Sequence, residues 1–82
     1  MENRVAVISI IVKEGTEVSG LNQLLHEFAP HIVGRMGLPY RKRSLNLISV
    51  AVDAPEAEVE ALSKKLSQLT GVAVKTVYAP EN

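Results

Sequence analysis

Two apolar segments of the chain have nearly the same pattern. The letters VISIIV occupy positions 7–12, and LISVAV occupies positions 47–52, forty residues further on. Each is followed by apolar residues at helical spacing, which are Val18, Leu21, Leu25 and Phe28 in the first half and Val59, Leu62, Leu66 and Leu69 in the second. Short β-rich segments predict strands, and this spacing predicts amphipathic helices that lie on a core. The chain therefore contains a repeated strand and helix.

A further β-rich segment follows each predicted helix. These segments are HIVGRM from His31 and VAVKTVY from Val72. The predicted order is βαββαβ in a single domain of residues 1–82. Right-handed crossovers convert this order into an α+β fold, a four-stranded antiparallel sheet with both helices on one face, which is the ferredoxin-like arrangement. Strands 1 and 3 are then central, and strands 2 and 4 are edges.

Three residues mark the expected helix boundaries. The Thr16 hydroxyl is suited to cap the first helix, and Pro30 ends that helix because it lacks an amide hydrogen. Gly71 suits a left-handed position just past the second helix. These positions predict a first helix between residues 16 and 30.

Alternation along strands 1 and 3 assigns their side chains to two faces of the sheet. The bulkier set should lie under the helices, and it consists of Ile8, Ile10, Val12, Ile48, Val50 and Val52. The other set is unusually apolar for a face in water, and it consists of Val7, Ser9, Ile11, Leu47, Ser49 and Ala51. Such a face predicts a partner. Because a chain of 82 residues also has a thin core, we expect a homo-oligomer.

Arg35 and Lys75 occupy equivalent positions in the two halves of the repeat. We expect both side chains on the open face of the sheet. They are either solvated cations of the edge strands or the frame of an anion site or of salt bridges between subunits. The pair is therefore a candidate ligand site.

The segment GRMGLPYRKRS, residues 34–44, concentrates basic side chains in a chain with no net charge. It is predicted to form the end of strand 2 and the hairpin into strand 3. Met36 and Leu38 are expected to point into the core. Arg41, Lys42 and Arg43 are expected in solvent, where they either contact an acidic partner or discourage aggregation at the sheet edge.

Nucleic-acid binding through this basic hairpin is an alternative. RNA-recognition domains of the same topology stack bases on aromatic residues of the central strands. Strands 1 and 3 contain no aromatic residue, and nine basic side chains balance nine acidic ones. Both observations argue against a nucleic-acid binder.

His26 and His31, with Glu27 between them, raise the possibility of a metal sensor. They stand without a dense cluster of further ligand residues, and the chain has no cysteine. We therefore predict no metal and no cofactor. Because no nucleophile and base can be paired by spacing and no Gly-rich phosphate loop is present, we also predict that the chain is not an enzyme.

The apolar run at residues 5–12 is much shorter than the roughly 20 residues that span a membrane. No small-residue cleavage site follows it. The sequence therefore predicts a soluble cytoplasmic protein that does not enter a membrane.

Three segments of the chain carry a resemblance to a known family. They are HIVGRMGLPYRKRSLNLISVAVDAP, LSKKLSQLTGV and VKTVY, and together they resemble the family of iron-only hydrogenase system regulators. That family is similar to ACT domains and to the regulatory domain of the nickel repressor. The resemblance implies a small regulatory or ligand-sensing module with an ACT-like fold. A ligand bound as in ACT domains would lie at the loop after strand 1, which here is Lys13, Glu14 and Gly15. ACT domains that bind amino acids usually have a Pro-Gly pair in this loop, so the resemblance names no effector.

Overall fold

The computed structural model describes residues 2–16 and 18–80. Its elements are β1 (Asn3–Lys13), α1 (Ser19–Glu27), β2 (Ile32–Tyr40), β3 (Leu45–Pro55), α2 (Glu56–Ser67) and β4 (Val72–Tyr78). Short 3-10 turns at Ala29–His31 and Arg41–Arg43 precede β2 and β3. The predicted βαββαβ order is confirmed. None of the described helices is long and apolar enough to cross a membrane.

The strands form one antiparallel sheet in the order β2-β3-β1-β4. The ferredoxin-like fold, with β1 and β3 at the centre, is therefore confirmed. Ser9 pairs with Ser49 across the two central strands. The forty-residue repeat also maps Ser9 onto Ser49. A local two-fold axis relating the two halves of the chain therefore passes between these two serines.

The core lies between the sheet and the two helices. The strands contribute Ala6, Ile8, Ile10, Val12, Val50, Val52 and Ala54, and the helices contribute Leu21, Leu25, Val59, Leu62 and Leu66. Ile48 is partly buried and packs against this cluster. The set predicted to lie under the helices is confirmed, because period-two alternation in β1 and β3 directs these side chains to one face.

The boundary of α1 differs from the predicted one. The helix begins at Ser19, with Val18 at its N-cap, so Thr16 lies outside it and the predicted capping role of Thr16 is wrong. Thr16 instead closes a turn, in which its N–H donates to the Lys13 carbonyl. Its side chain lies beside Gly71, which has a positive φ of 77°. The left-handed conformation predicted for Gly71 is confirmed, but α2 ends at Ser67 with Gln68 at its C-cap, so the prediction that Gly71 lies just past that helix is wrong.

A β-bulge in β2 changes the face on which its later residues lie. The pairing with β3 shifts between Ile32 and Gly34, after which Arg35 pairs with Val50 and Met36 with Ser49. One extra residue inverts the alternation of everything that follows it. Arg35 is therefore on the helix side of the sheet, and the prediction that it shares the open face with Lys75 is wrong.

The same bulge moves Met36 and Leu38 out of the core. Met36 is 71% exposed and Leu38 is 60% exposed. The prediction that they point into the core is wrong, because it assumed an unbroken strand. Both residues instead enlarge the apolar area on the opposite side of the sheet.

We use the term open face for the surface of the sheet that points away from the helices. In the register of the strands it comprises Asn3, Val5, Val7, Ser9, Ile11, Lys13, Gly34, Met36, Leu38, Tyr40, Leu45, Leu47, Ser49, Ala51, Asp53, Pro55, Ala73, Lys75 and Val77. Val7, Ile11 and Val77 are exposed large hydrophobic residues of this set. The predicted apolar character of the open face is confirmed.

Candidate functional site

Three loops meet at one end of the sheet. They are the turn after β1, the turn between β2 and β3, and the loop that leads into β4. The Lys13 N–H donates to the Gly71 carbonyl, and the Glu14 N–H donates to the Ser44 carbonyl, each over 2.9 Å. Segments that are far apart in the sequence are thereby joined by backbone hydrogen bonds.

The three loops border an open cleft of about 500 Å³, which we call the end cleft. Its lining consists of Ile11, Lys13, Glu14, Arg43, Ser44, Leu45, Gly71, Val72 and Ala73. Its apolar surface comes from Ile11, Leu45, Val72 and Ala73. Its charged groups come from Lys13, Glu14 and Arg43. A largely apolar site with a few polar groups is the usual composition of a small-molecule site.

Backbone in the left-handed region occurs in each of these loops. Among the described residues, positive φ values are found at Gly15 (88°), Ser44 (56°) and Gly71 (77°). Glycine adopts this region without steric cost, whereas serine does so uncommonly. The tight turns at these three positions bring the loops together at the end cleft.

The sequence-predicted ligand residues divide between different places. Lys13 and Glu14 line the end cleft, and Gly15 forms the turn beside them. Lys75 lies on the open face, on the edge strand β4, where it pairs with Ser9 of β1. This edge is the one opposite to β2. Arg35 is on the helix side, so Arg35 and Lys75 do not form one site.

The three basic residues of the turn between β2 and β3 do not all belong to the end cleft. Arg41, Lys42 and Arg43 are all exposed, as predicted. Arg43 lines the end cleft, which joins it to Lys13 and Glu14. Sequence reasoning assigned Arg43 to a separate partner surface, because the approach of the hairpin to the β1 turn depends on the strand register. A partner role for Arg41 and Lys42 stays a prediction.

A second groove, of about 380 Å³, lies between α1 and β2. Its lining consists of Asn22, Leu25, His26, Ala29, Ile32 and Arg35. His31 lies apart from this lining, with its ring 6.5 Å from that of Phe28. Within residues 2–16 and 18–80, no three histidine, aspartate or glutamate side chains converge as a ligand set for a metal ion.

Tyr78 anchors a polar cluster at the other end of the sheet. Its hydroxyl donates to Glu60 Oε2 over 2.7 Å, and the Arg4 guanidinium lies 4.3 Å from its ring centroid. Arg4 Nη1 also contacts Glu56 Oε1 at 2.9 Å. Sequence reasoning missed this cluster, because it depends on the pairing of β1 with β4. The cluster joins α2 to both strands.

Partial burial, together with the Glu60 carboxylate that accepts its hydrogen bond, raises the pKa of Tyr78 to about 12. Glu56 adds to this effect, and Arg4 opposes it. The hydroxyl therefore remains a neutral donor throughout the neutral pH range. This arrangement makes the cluster a structural contact between sheet and helix.

The chain is similar to a known protein family and to a solved structure. Residues 4–76 match the family model described as "TM1266-like: Iron-only hydrogenase system regulator, putative". The solved structure of the uncharacterized protein TM1266 from Thermotoga maritima superimposes with a TM-score of 0.92 and is 34% identical in sequence. The alignment covers 96% of this chain and 100% of that one. No curated protein matches the chain.

The family match includes every element from β1 to most of β4, and with them all three loops of the end cleft. The resemblance seen in the residues from His31 onward is thus confirmed over nearly the whole length. On this basis the chain belongs to the TM1266-like family of iron-only hydrogenase system regulators.

Proposed function

We propose that the chain is a non-catalytic, ACT-like regulatory module of the iron-only hydrogenase system that senses a small molecule in the end cleft. The observation that carries this proposal is that Lys13, Glu14 and Arg43 line one cleft together with several apolar side chains. Family membership supports the regulatory role. The geometry of the cleft supports the sensing role.

The size and composition of the end cleft suit a small amphiphilic anion. Its volume of about 500 Å³ lies within the range of small-molecule sites, about 300–1,000 Å³. Lys13 and Arg43 provide two cations against the single carboxylate of Glu14. Ile11 and Ala73 provide surface for an apolar part. Short-chain carboxylates and phosphate esters therefore fit the chemistry of the site.

The lining of the end cleft favours binding over catalysis. Among the described residues of its lining, the side-chain hydroxyl is that of Ser44, and no hydrogen bond joins it to the Glu14 carboxylate or to another potential base. Covalent catalysis by a serine requires an adjacent general base that activates the hydroxyl. We therefore assign the charged side chains of the cleft to recognition.

The position of the end cleft gives it a route to regulation. Ile11 and Ala73 line the cleft and also belong to the open face. A molecule that contacts these residues changes the border of a surface that another protein can touch. A ligand shifts the equilibrium between two states of a surface only if it binds one state more tightly than the other.

Thermal unfolding in the presence of small carboxylates and phosphate esters tests the proposal. A ligand that binds only the folded chain raises the melting temperature, with a stabilisation of about 2.7 kcal/mol at one hundred times its dissociation constant. We expect a member of the panel to stabilise the unmodified chain. Arg43→Ser should abolish this stabilisation, because it removes a cation of the cleft.

Lys42→Ser is the matched control, since it removes the neighbouring cation, which is exposed and does not line the end cleft. It should leave the ligand-induced rise unchanged. An equal loss of the ligand-induced rise in both variants would indicate that the basic turn attracts the anionic ligand non-specifically. The absence of a rise with every member of the panel would contradict the proposal for these two classes of ligand.

A further inference from the structure

The open face is arranged as three rows of side chains that cross all four strands. The central row consists of Met36, Ser49, Ser9 and Lys75. One flanking row consists of Gly34, Ala51, Val7 and Val77, and the other consists of Leu38, Leu47, Ile11 and Ala73. Among the described residues, Lys75 is the one charged side chain in these three rows. The flanking rows are entirely apolar.

We propose that the open face is the interface of a homodimer in which two copies pack face to face. The two-fold axis runs across the strands along the central row, so that each strand lies over its own counterpart in the reverse direction. This inference rests on the surface of the sheet and needs no ligand in the end cleft, although Ile11, Lys13, Leu45 and Ala73 belong to both surfaces. Its occupant is a second copy of this chain.

The dimensions of the open face match those of a second copy. Its strands contain 9, 11, 11 and 7 residues in sheet order. At about 3.4 Å per residue and about 4.8 Å between strands, the face measures roughly 30 by 19 Å, or roughly 600 Å² per copy. Two such faces give roughly 1,200 Å², which is the lower end of stable interfaces. A single added helix, about 10 Å wide, would leave much of this surface in water.

The sizes of the side chains in the flanking rows are complementary under this axis. On β2, Gly34 would lie against the partner subunit's Leu38, and on β3, Ala51 would lie against the partner subunit's Leu47. On β4, Ala73 would meet the partner subunit's Val77. Small residues thus oppose larger ones on three of the four strands, which is the pattern that lets facing layers interdigitate.

The charges at the two ends of the open face are also complementary. Asp53 pairs with Val5 at one end, and Lys13 pairs with Leu45 at the other. Reversing the strand direction in the second copy brings Asp53 toward the partner subunit's Lys13. Lys75 would face its own counterpart on the edge strand β4, where its long side chain can carry the ammonium group out to water. The open face therefore has opposite charges at its ends and a largely apolar centre.

The edge strand β2 is less suited to association than the open face. Pro39 removes a backbone donor from the edge strand β2, and Arg41, Lys42 and Arg43 follow at its end. Proline and positive charge at an edge both oppose pairing with another strand. Association across the face is therefore favoured over extension of the sheet at β2.

Light scattering over a concentration series, with substitutions on the face, tests the proposed dimer. The unmodified chain should have twice the mass of one chain at tens of micromolar. Leu38→Glu places a charge in the apolar row and should raise the dimer dissociation constant at least about tenfold. Val18→Glu is the matched control, because Val18 is 41% exposed at the start of α1, outside the open face. It should leave the dimer intact.

Both variants should keep the circular dichroism of the unmodified chain, since Leu38 is 60% exposed, Val18 is 41% exposed, and neither belongs to the buried core. An unmodified chain that remains monomeric overturns the proposal and leaves the face to a different protein. A dimer that tolerates Leu38→Glu as well as it tolerates Val18→Glu also overturns it.

Cysteine cross-linking tests the direction of the two-fold axis, and it needs no folding-sensitive substitution. The chain has no native cysteine, so each introduced thiol is unique. Ser9→Cys should form dimers with a short bifunctional reagent, because stacked sheets lie about 10 Å apart and Ser9 would face its own counterpart. Val5→Cys should not, since the two copies of Val5 would be displaced by roughly 27 Å along the strands. Equal cross-linking of the two variants, or no cross-linking of Ser9→Cys, overturns the proposed arrangement.

Discussion

At the scale of single residues, Gly71 shows how tightly the end cleft is built. It has a positive φ of 77°, and a methyl group at this position would collide with the Thr16 side chain. Its carbonyl accepts the hydrogen bond from the Lys13 N–H, which joins the loop before β4 to the end of β1. The backbone of this one residue therefore supports two loops of the cleft.

Gly71→Ala should lower the free energy of unfolding by about 1–3 kcal/mol, because alanine is strained in the left-handed region and its methyl group displaces Thr16. Urea denaturation at a fixed protein concentration measures the change. Gly37→Ala is the control, since Gly37 has open space around it and no positive φ. A loss for Gly37→Ala as large as that for Gly71→Ala would refute this explanation.

Tyr78 allows a spectroscopic prediction at the same scale. In a Tyr40→Phe background Tyr78 is the remaining tyrosine, and its tyrosinate absorbance should rise with a midpoint near pH 12 because its pKa is raised to about 12. Glu60→Gln removes the neighbouring carboxylate and should lower the midpoint toward the ordinary value of about 10. A midpoint that Glu60→Gln leaves unchanged would exclude the Glu60 contribution.

The same shift predicts the direction of a pH effect on stability. The pKa of Tyr78 is higher in the folded chain than the ordinary value of 10.0, so the folded state holds this proton more tightly. The stabilising contribution is complete below pH 10 and is lost as the pH rises toward 12. Tyr78→Phe should remove this part of the pH dependence, which urea denaturation of both proteins between pH 9 and 12 would measure.

At the scale of elements, the repeat made most of the fold predictable. Alternation in β1 and β3 assigned Ile8 and Val50 to the core, and the helical stripes located both helices. The β-bulge in β2 was not predictable, because one additional residue between Ile32 and Gly34 leaves no mark in composition. It moved Arg35 and Met36 to opposite faces from those expected. The end cleft was predicted in part, since Lys13 and Glu14 were named but the approach of Arg43 depends on register.

The turn between β2 and β3 should contribute little to stability. Arg41→Ser and Lys42→Ser should each change the free energy of unfolding by no more than about 0.5 kcal/mol, because both side chains are exposed. Leu62→Ala provides the contrast, since Leu62 is 1% exposed and its truncation should cost about 2–5 kcal/mol. A loss of several kcal/mol for either turn variant would mean that the turn supports the fold or an assembly.

At the scale of the whole molecule, one side of the sheet is covered by helices and the other is open. The end cleft lies where the open face meets the three loops, and Ile11 and Ala73 belong to both. A sensing site and an association surface that share residues can influence each other by direct contact. This shared border is the physical basis on which we assign a regulatory role to a module with so small a core.

The most direct test of ligand sensing is to map the amide shifts caused by the most stabilising carboxylate or phosphate ester in nuclear magnetic resonance spectra of the full chain. The account predicts that saturable changes concentrate at Lys13, Glu14, Arg43, Ser44 and Gly71. Changes centred on the groove between α1 and β2, or no saturable change, would contradict the assignment of the end cleft as the sensing site.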